Sequence, residues 1–440
     1  MKPAHTLGAV ALYLACGSVF AAPTWITLSD DALKILQRMS PQAQVLASTQ
    51  VSVTVPEAAR SAQLRTRQET VHAVEVDDLW LEMLSLMAHR ELQRCGGYVH
   101  HASEAEARAT LHRLGGPTPQ AVGPAPSYVI GNTKLVNTNM AQLQASNILG
   151  TIESLAAYQN RRHDSTHGAL ASAWLFNHWS SLKPTSRTDV KVTQVSHTNT
   201  PQKSVSFEIA GSGNANEVVI IGGHLDSISS GPIETARSPG ADDNASGIAG
   251  ITEIIRVLMN SGYKPKRTLR FIGYAAEEVG LRGSAQIAQT YLSTQNGVVG
   301  VLQLDMTAFN SPNDTQEIWL YTDFTNAEQN QFLANLAAFY LPQVAVGYSA
   351  CGYGCSDHVS WHNRGFRASF PHEASNSNYN MAIHTINDTT ATFGNTASHA
   401  LKFTQLALAY AVELGGKGVA RSQPPIPIPA AATTAVLAGR

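Results

Sequence analysis

Cysteine is scarce in this chain, and neither sign of charge prevails. Its 440 residues include four cysteines, and 30 lysines and arginines stand against 32 aspartates and glutamates, a formal net charge of −2. That balance excludes the basic surplus by which a nucleic-acid binder holds phosphates. Beyond the first residues no apolar run is long enough to cross a bilayer, so no membrane-embedded domain is expected. No internal repeat is present. A thiolate metal site built from two cysteine pairs is excluded as well, because one close pair exists, in CGYGC at 351–355.

What is present begins with an export signal. Lys2, the apolar stretch from Leu7 to Ala15 and a small-residue cleavage site at Val19-Phe20-Ala21 define a signal peptide over residues 1–21. A membrane anchor would need a longer apolar centre. Export removes Cys16 and leaves Cys95, Cys351 and Cys355 in an oxidising compartment. There CGYGC reads as a short-loop disulfide, Cys351 to Cys355, with glycines permitting the tight turn, in preference to a metal-binding pair. The protein is expected outside the cell.

The rest of the chain divides into two regions of different character. Residues 22–125 contain DDLWLEMLSLMAHRELQR, with Leu79, Met83, Leu86 and Met87 on one helical face, and close on a Gly/Pro-rich linker, GGPTPQAVGPAPSY. In an exported protein this arrangement predicts a small, mainly helical pro-segment, an inhibitor or chaperone of the larger region beyond the linker; a permanent helical domain is the open alternative. From about residue 130 to 417 strands and helices alternate. EVVIIGG (217–223), TLRFIGYA (268–275) and VVGVLQLDM (298–306) have the near-continuous apolar character of buried central strands. GIAGITEIIRVLMNSG carries Ile251, Ile255 and Leu258 on one stripe, with Gly262 closing the helix. The prediction for residues 126–417 is an α/β three-layer sandwich, a mixed and largely parallel sheet flanked by helices. Residues 418–440 are a Pro/Ala-rich tail, expected to be a flexible end.

Polar residues collect where the apolar runs end. The first runs into His224 and Asp226, the second into Glu277-Glu278 and the third into Asp305, while Asp242 and Asp243 precede the helix. Open α/β sheets bind ligands beyond such strand ends. Any one of these residues is readily a helix cap or a hydrogen-bonded structural histidine. Three strands each ending in a potential ligand point instead to a divalent cation, and histidines with carboxylates but no thiolates suit zinc. A carboxylate can bridge two ions. Two adjacent glutamates are expensive to bury unless a cation offsets them, and they leave a strand in different directions. One can therefore bind metal while the other serves as a base.

The stretches GGHLDS, PGADDNASG, YAAEEVGLRGS, LQLDM, CGYGCSDH and IHTINDT occur in that order. Together they resemble the secreted bacterial leucyl aminopeptidases, which carry two co-catalytic zinc ions, and the resemblance covers roughly residues 130–417. It implies His224 and Asp305 on one zinc, Glu278 and His384 on the other, and Asp243 bridging both. It makes Glu277 the general base and acid, and Asp226 the partner that orients the His224 imidazole. It also implies a cis peptide bond at Asp243–Asn244. Tyr353 would donate to the developing oxyanion, or merely shield the disulfide. Met306, Phe370, Tyr379 and Ile383 would wall an apolar side-chain pocket. His372 and Asn376 stand where apolar residues are usual, which weakens a narrow leucine preference. The implied reaction is hydrolysis of hydrophobic, leucine-like residues from peptides with a free N-terminus, by a monomer.

Rival readings exist. A di-zinc carboxypeptidase or aminoacylase on the same fold would need a cation for a substrate carboxylate, and Arg282, Arg364 and Arg367 lie near the motifs. A non-catalytic metal-dependent binding domain is the other. HVSWH (358–362) has two histidines at i, i+4 but lacks the glutamate of a mononuclear zinc protease, so it reads as structural. Cys95, with His100 and His101 nearby, would block water activation if the pro-segment carried a thiolate or imidazole to the metal.

Overall fold

A computed structural model describes residues 23–57, 63–116, 121–294, 297–376 and 378–416. The signal peptide (1–21), linker residues 117–120 and the tail (418–440) lie outside the described residues.

The N-terminal unit runs through β1 (Pro23–Ser29), α1 (Asp30–Met39), β2 (Gln44–Pro56), β3 (Leu64–Asp77), α2 (Leu81–Leu92), β4 (Tyr98–His101) and α3 (Glu104–Leu114). Its strands form an antiparallel sheet in the order β2-β3-β1-β4. The expectation of a mainly helical segment is corrected by this sheet. The first half of β3, LRTRQET, is mostly exposed or half-buried and polar on both faces, so the apolar alternation that marks a half-buried strand is absent there. Ile26, Leu28, Val74 and Val76 pack against Leu33, Leu36, Leu81 and Leu84 of α1 and α2. Of the residues assigned to the apolar face of α2, Leu86 is buried, while Leu79 and Met83 are exposed.

The larger unit adds α4 (Thr133–Met140), α5 (Ala145–Ala156), α6 (Thr166–Leu182), β5 (Val190–His197), β6 (Thr200–Ile209), β7 (Asn214–His224), α7 (Ala245–Asn260), β8 (Arg267–Tyr274), α8 (Arg282–Ser293) and β9 (Gly297–Gln303). It ends with β10 (Ile318–Tyr321), α9 (Ala327–Tyr340), β11 (Val346–Ser349), α10 (His358–His362), β12 (Ala368–Ser369), β13 (Pro371–His372) and α11 (Ser398–Gly415). The main sheet has the order β12-β9-β7-β8-β6-β5; β12, β9, β7 and β8 are parallel, and β6 and β5 are antiparallel additions at one edge. A small sheet, β11-β10-β13, stands beside it.

The apolar runs reflect burial on both sheet faces. On β7, Val219 and Ile221 enter the core beneath α5, α6, α7 and α11, while Val218 and Ile220 enter the core with Ile287 and Tyr291 of α8 and Trp361 of α10. Period-two alternation thus vanishes from the sequence because both faces want apolar side chains. Close approaches require glycine at two places. A Cβ on Gly222 would lie 2.3 Å from the Tyr274 ring, and one on Gly247 would lie 2.3 Å from the Leu304 carbonyl oxygen. The second contact seats the start of α7 against the end of β9. Among the described residues no helix is long and apolar enough to cross a membrane.

Candidate metal centre

The central strands deliver their last residues to one end of the sheet. His224 ends β7, Glu277 and Glu278 follow β8, and Asp305 follows β9. Asp243 arrives from the loop before α7, and His384 from the loop after β13, in a left-handed conformation (φ 57°). All six side chains are buried. The Asp243–Asn244 peptide is cis.

These groups converge in two halves around Asp243. Its Oδ1 lies 2.9 Å from Nε2 of His224, which is also 3.2 Å from Oδ1 of Asp305. Its Oδ2 lies 3.3 Å from Nε2 of His384, which is also 2.8 Å from Oε2 of Glu278. His224, Asp243 and Glu278 each offer a ligand atom within 4.8 Å of the others. The donor set fits a divalent cation. Among the described residues Oε1 of Glu278 has no hydrogen-bond partner although it is buried, and Nε2 of His384, close to two carboxylate oxygens, is not aligned to hydrogen-bond with either, an arrangement that a protein avoids unless something else satisfies these atoms.

Electrostatics says the same. Burial alone would depress both histidines, yet Asp305 and Glu277 hold His224 well above its usual value, and Glu278 and Asp243 bring His384 up to about 10. Burial pushes Glu277 well above the carboxylate range, with Asp357, Glu278 and Asp305 adding to it against His224. Burial also brings Glu278 up to about 7, against the pull of His384. A crowd of carboxylates that draws protons this strongly is a crowd that favours a cation.

Surrounding groups hold the ligands in place. Oδ1 and Oδ2 of Asp226 accept the backbone N–H groups of Glu277 (3.0 Å) and Glu278 (3.1 Å). Its carboxylate is 3.6 Å from Nδ1 of His224, whereas its carbonyl oxygen is at 3.1 Å. Asp226 thus orients the imidazole chiefly through its backbone and spends its side chain on the glutamate pair. Sequence reasoning missed three further supports. Ser356 donates to Oδ2 of Asp305 at 2.6 Å, and Asp388 accepts from the amides of Asp242 (3.1 Å) and Asp243 (3.0 Å). Asn244 accepts from the Gly247 amide at 2.9 Å and donates to the Leu304 carbonyl at 2.9 Å. Ser356 and Asp388 sit inside CGYGCSDH and IHTINDT, but only the fold tells which atoms they reach.

A small cavity opens from the centre. Met306, Phe370 and Tyr379 line it, as do His372 and Asn376, while Ile383 packs behind Met306 and Tyr379. Tyr353 and the disulfide-bonded Cys351 and Cys355 form another wall. His358 is fully buried and stacks on Phe370, and Trp361 lies in the core, so HVSWH packs as part of the interior. Arg282 pairs with Asp78, Arg364 with Glu106, and Arg367 donates to the Pro124 carbonyl; none lines the cavity. His101 bonds Thr27, and neither it nor His100 reaches the cavity, but Cys95 does.

A family model described as peptidase family M28 matches residues 204–409. A probable leucine aminopeptidase of Trichophyton verrucosum is 32% identical over 284 residues, covering 64% of this chain and 74% of the relative. A probable aminopeptidase of Saccharomyces cerevisiae is 28% identical over 291 residues, covering 65% and 77%. Among solved structures, the LapA aminopeptidase of Legionella pneumophila matches with a TM-score of 0.75 at 28% identity, over 90% of this chain and 99% of that one. LapB of the same organism matches with a TM-score of 0.73 at 28% identity, over 90% and 100%. Coverage this broad reaches into the N-terminal unit as well as the larger one.

Proposed function

The chain belongs to peptidase family M28 and is a metal-dependent aminopeptidase, and on that premise we propose that it is exported and removes hydrophobic, leucine-like residues from peptide N-termini with two zinc ions. The observation that carries the two-ion reading is the division of Asp243, whose two oxygens face two separate histidine–carboxylate pairs. His224 and Asp305 would hold one ion, Glu278 and His384 the other, and Asp243 both. When bound, such a pair supplies a water of lowered pKa and positive charge facing the scissile carbonyl.

Glu277 does the proton work. It has no ligand contact of the kind Glu278 makes with His384, its amide is held by Asp226, and burial raises the proton affinity of its carboxylate. It takes the proton of the attacking water and gives it to the departing amine. The Tyr353 hydroxyl, on the cavity wall, donates to the oxygen that gains charge. Met306, Phe370 and Tyr379 receive the side chain of the first residue, with His372 and Asn376 widening the range accepted. Among the described residues no arginine or lysine lines the cavity, which disfavours a carboxylate-holding carboxypeptidase or aminoacylase. Residues 1–21 serve as the export signal and 22–125 as a pro-segment that inhibits the unit at 126–417.

A direct test compares leucine p-nitroanilide with N-acetyl-leucine, which has a blocked amine and a free carboxylate. Hydrolysis of the free amine alone is expected. Faster hydrolysis of the acylated compound would overturn the reading in favour of an acylase.

A further inference from the structure

The N-terminal unit is packed into the active centre, and one short turn of it enters the cavity. Ala276 and Val279, which bracket the two glutamates, are buried in the core of the N-terminal unit with Leu81 and Tyr98. Ser85 of α2 donates to the Glu278 carbonyl at 2.6 Å, the His100 amide donates to the Gly280 carbonyl at 3.0 Å, and Glu82 pairs with Arg162 at 2.5 Å. The His89 ring lies 5.1 Å from the His384 ring.

From this platform α2 turns into Arg94-Cys95-Gly96-Gly97, whose glycines have φ of 128° and 135°, backbone that a side chain would disfavour. Cys95 lines the same cavity as His224, Glu277 and the pocket residues. Its amide donates to the Tyr353 hydroxyl at 2.8 Å, and the Arg94 guanidinium sits 5.0 Å over the Tyr353 ring. Its Sγ is 4.0 Å from Sδ of Met306, and it packs with Met306, Ala374, Tyr379 and Ile383. Among the described residues the Tyr379 hydroxyl, buried on the same wall, has no oxygen or nitrogen partner. The thiol is therefore on the apolar wall, against Met306 and Tyr379.

We propose that the Arg94–Gly97 turn stands in for the first residue of a substrate. The Cys95 side chain occupies the side-chain pocket, and its amide engages the hydroxyl that would otherwise serve the reaction. The intact chain is held closed by competition for the pocket, with the metal positions left free. The inference rests on the assignment of Met306, Phe370 and Tyr379 as the side-chain pocket. A thiol is smaller than a leucine side chain, so the plug binds weakly enough to be displaced when the turn loses its platform.

The test uses the full chain loaded with zinc, and L-leucinol, which has the amine and side chain of leucine but no scissile bond. Binding is measured by calorimetry. Emptying the pocket by Cys95→Ala is expected to tighten leucinol binding roughly tenfold, because more of the chain is then open. Filling it by Cys95→Leu is expected to weaken binding. Opposite signs separate a plug from a structural contact, since mere destabilisation would shift both variants the same way; a shared direction or no change overturns the proposal. In the wild-type chain leucinol is expected to speed alkylation of Cys95, the single free cysteine among the described residues, by iodoacetamide. Protection by leucinol overturns it. A thiolate-to-metal absorption band in the cobalt-loaded chain would also overturn it, by moving the sulfur onto the metal. Failure of the hydrolytic reading has its own signature: no turnover of leucine anilide by Cys95→Ala although leucinol still binds it more tightly.

Discussion

Asp226 shows at the scale of one residue how much of the centre is built from behind. It is fully buried, and it ties the end of β7 to the loop after β8 through two amides fifty residues away. Asn would present an N–H₂ to one of those amides, a donor against a donor, and would free one glutamate. Asp226→Asn is expected to lower kcat by about 10- to 100-fold and to weaken metal retention, as loss of a ligand-supporting group does elsewhere. Steady-state kinetics and zinc competition with a chelator check both; an unchanged kcat would remove Asp226 from the positioning machinery. At this scale the convergence of His224, Glu278 and Asp305 was legible, because three apolar runs each ending in a possible ligand are poorly explained by caps and structural histidines, whereas His384 was pointed to by the family resemblance alone. Ser356 and Asp388 were not legible. Their partners are 51 and 145 residues away, and a serine or aspartate next to a motif has many local uses.

Among the elements, β7, β8 and α7 were legible from composition alone, since two-sided burial and a single apolar stripe leave distinct traces. The sheet of the N-terminal unit left little trace. Much of β2 and β3 is half-exposed or polar, so α2 dominated the reading of that region. The fourth strand of this sheet carries a pH consequence. Burial drives His100 and His101 of β4 down to about 3 each; Arg282 and, for His101, His100, Arg364 and Arg113 add to it, while Asp78 opposes it at His100. Both are neutral when folded. An unfolded segment takes up protons near pH 6.5, so between there and about 3 unfolding gains protons and stability falls as pH falls. Lowering the pH from about 7 to about 5 is expected to destabilise the N-terminal unit by up to about 2 kcal/mol per histidine. Thermal unfolding of wild type beside His101→Asn checks this. A pH-independent midpoint, or one that rises in acid, would contradict it.

For the whole molecule, the class of fold followed from the alternation of strands and helices, but the strand order did not. Nothing local in Val190–His197 or Thr200–Ile209 says that they pair antiparallel beyond β8. Nor does the linker reveal that the N-terminal unit folds back over the glutamate loop, a packing decided by Ala276 and Val279, which look like ordinary core residues. On the proposed reading the two units together make one catalytic apparatus and its cover. On that reading its centre is a pair of cation positions sharing Asp243, with Glu277 left free for the proton. Metal analysis and turnover of leucine anilide, on wild type and Glu277→Ala in parallel, test that division most directly. Two metal ions per chain are expected in both proteins, with kcat lower by about 10²- to 10⁴-fold in the variant. A variant that turns over like wild type, or a wild-type chain still active once its metals are stripped, would contradict the account.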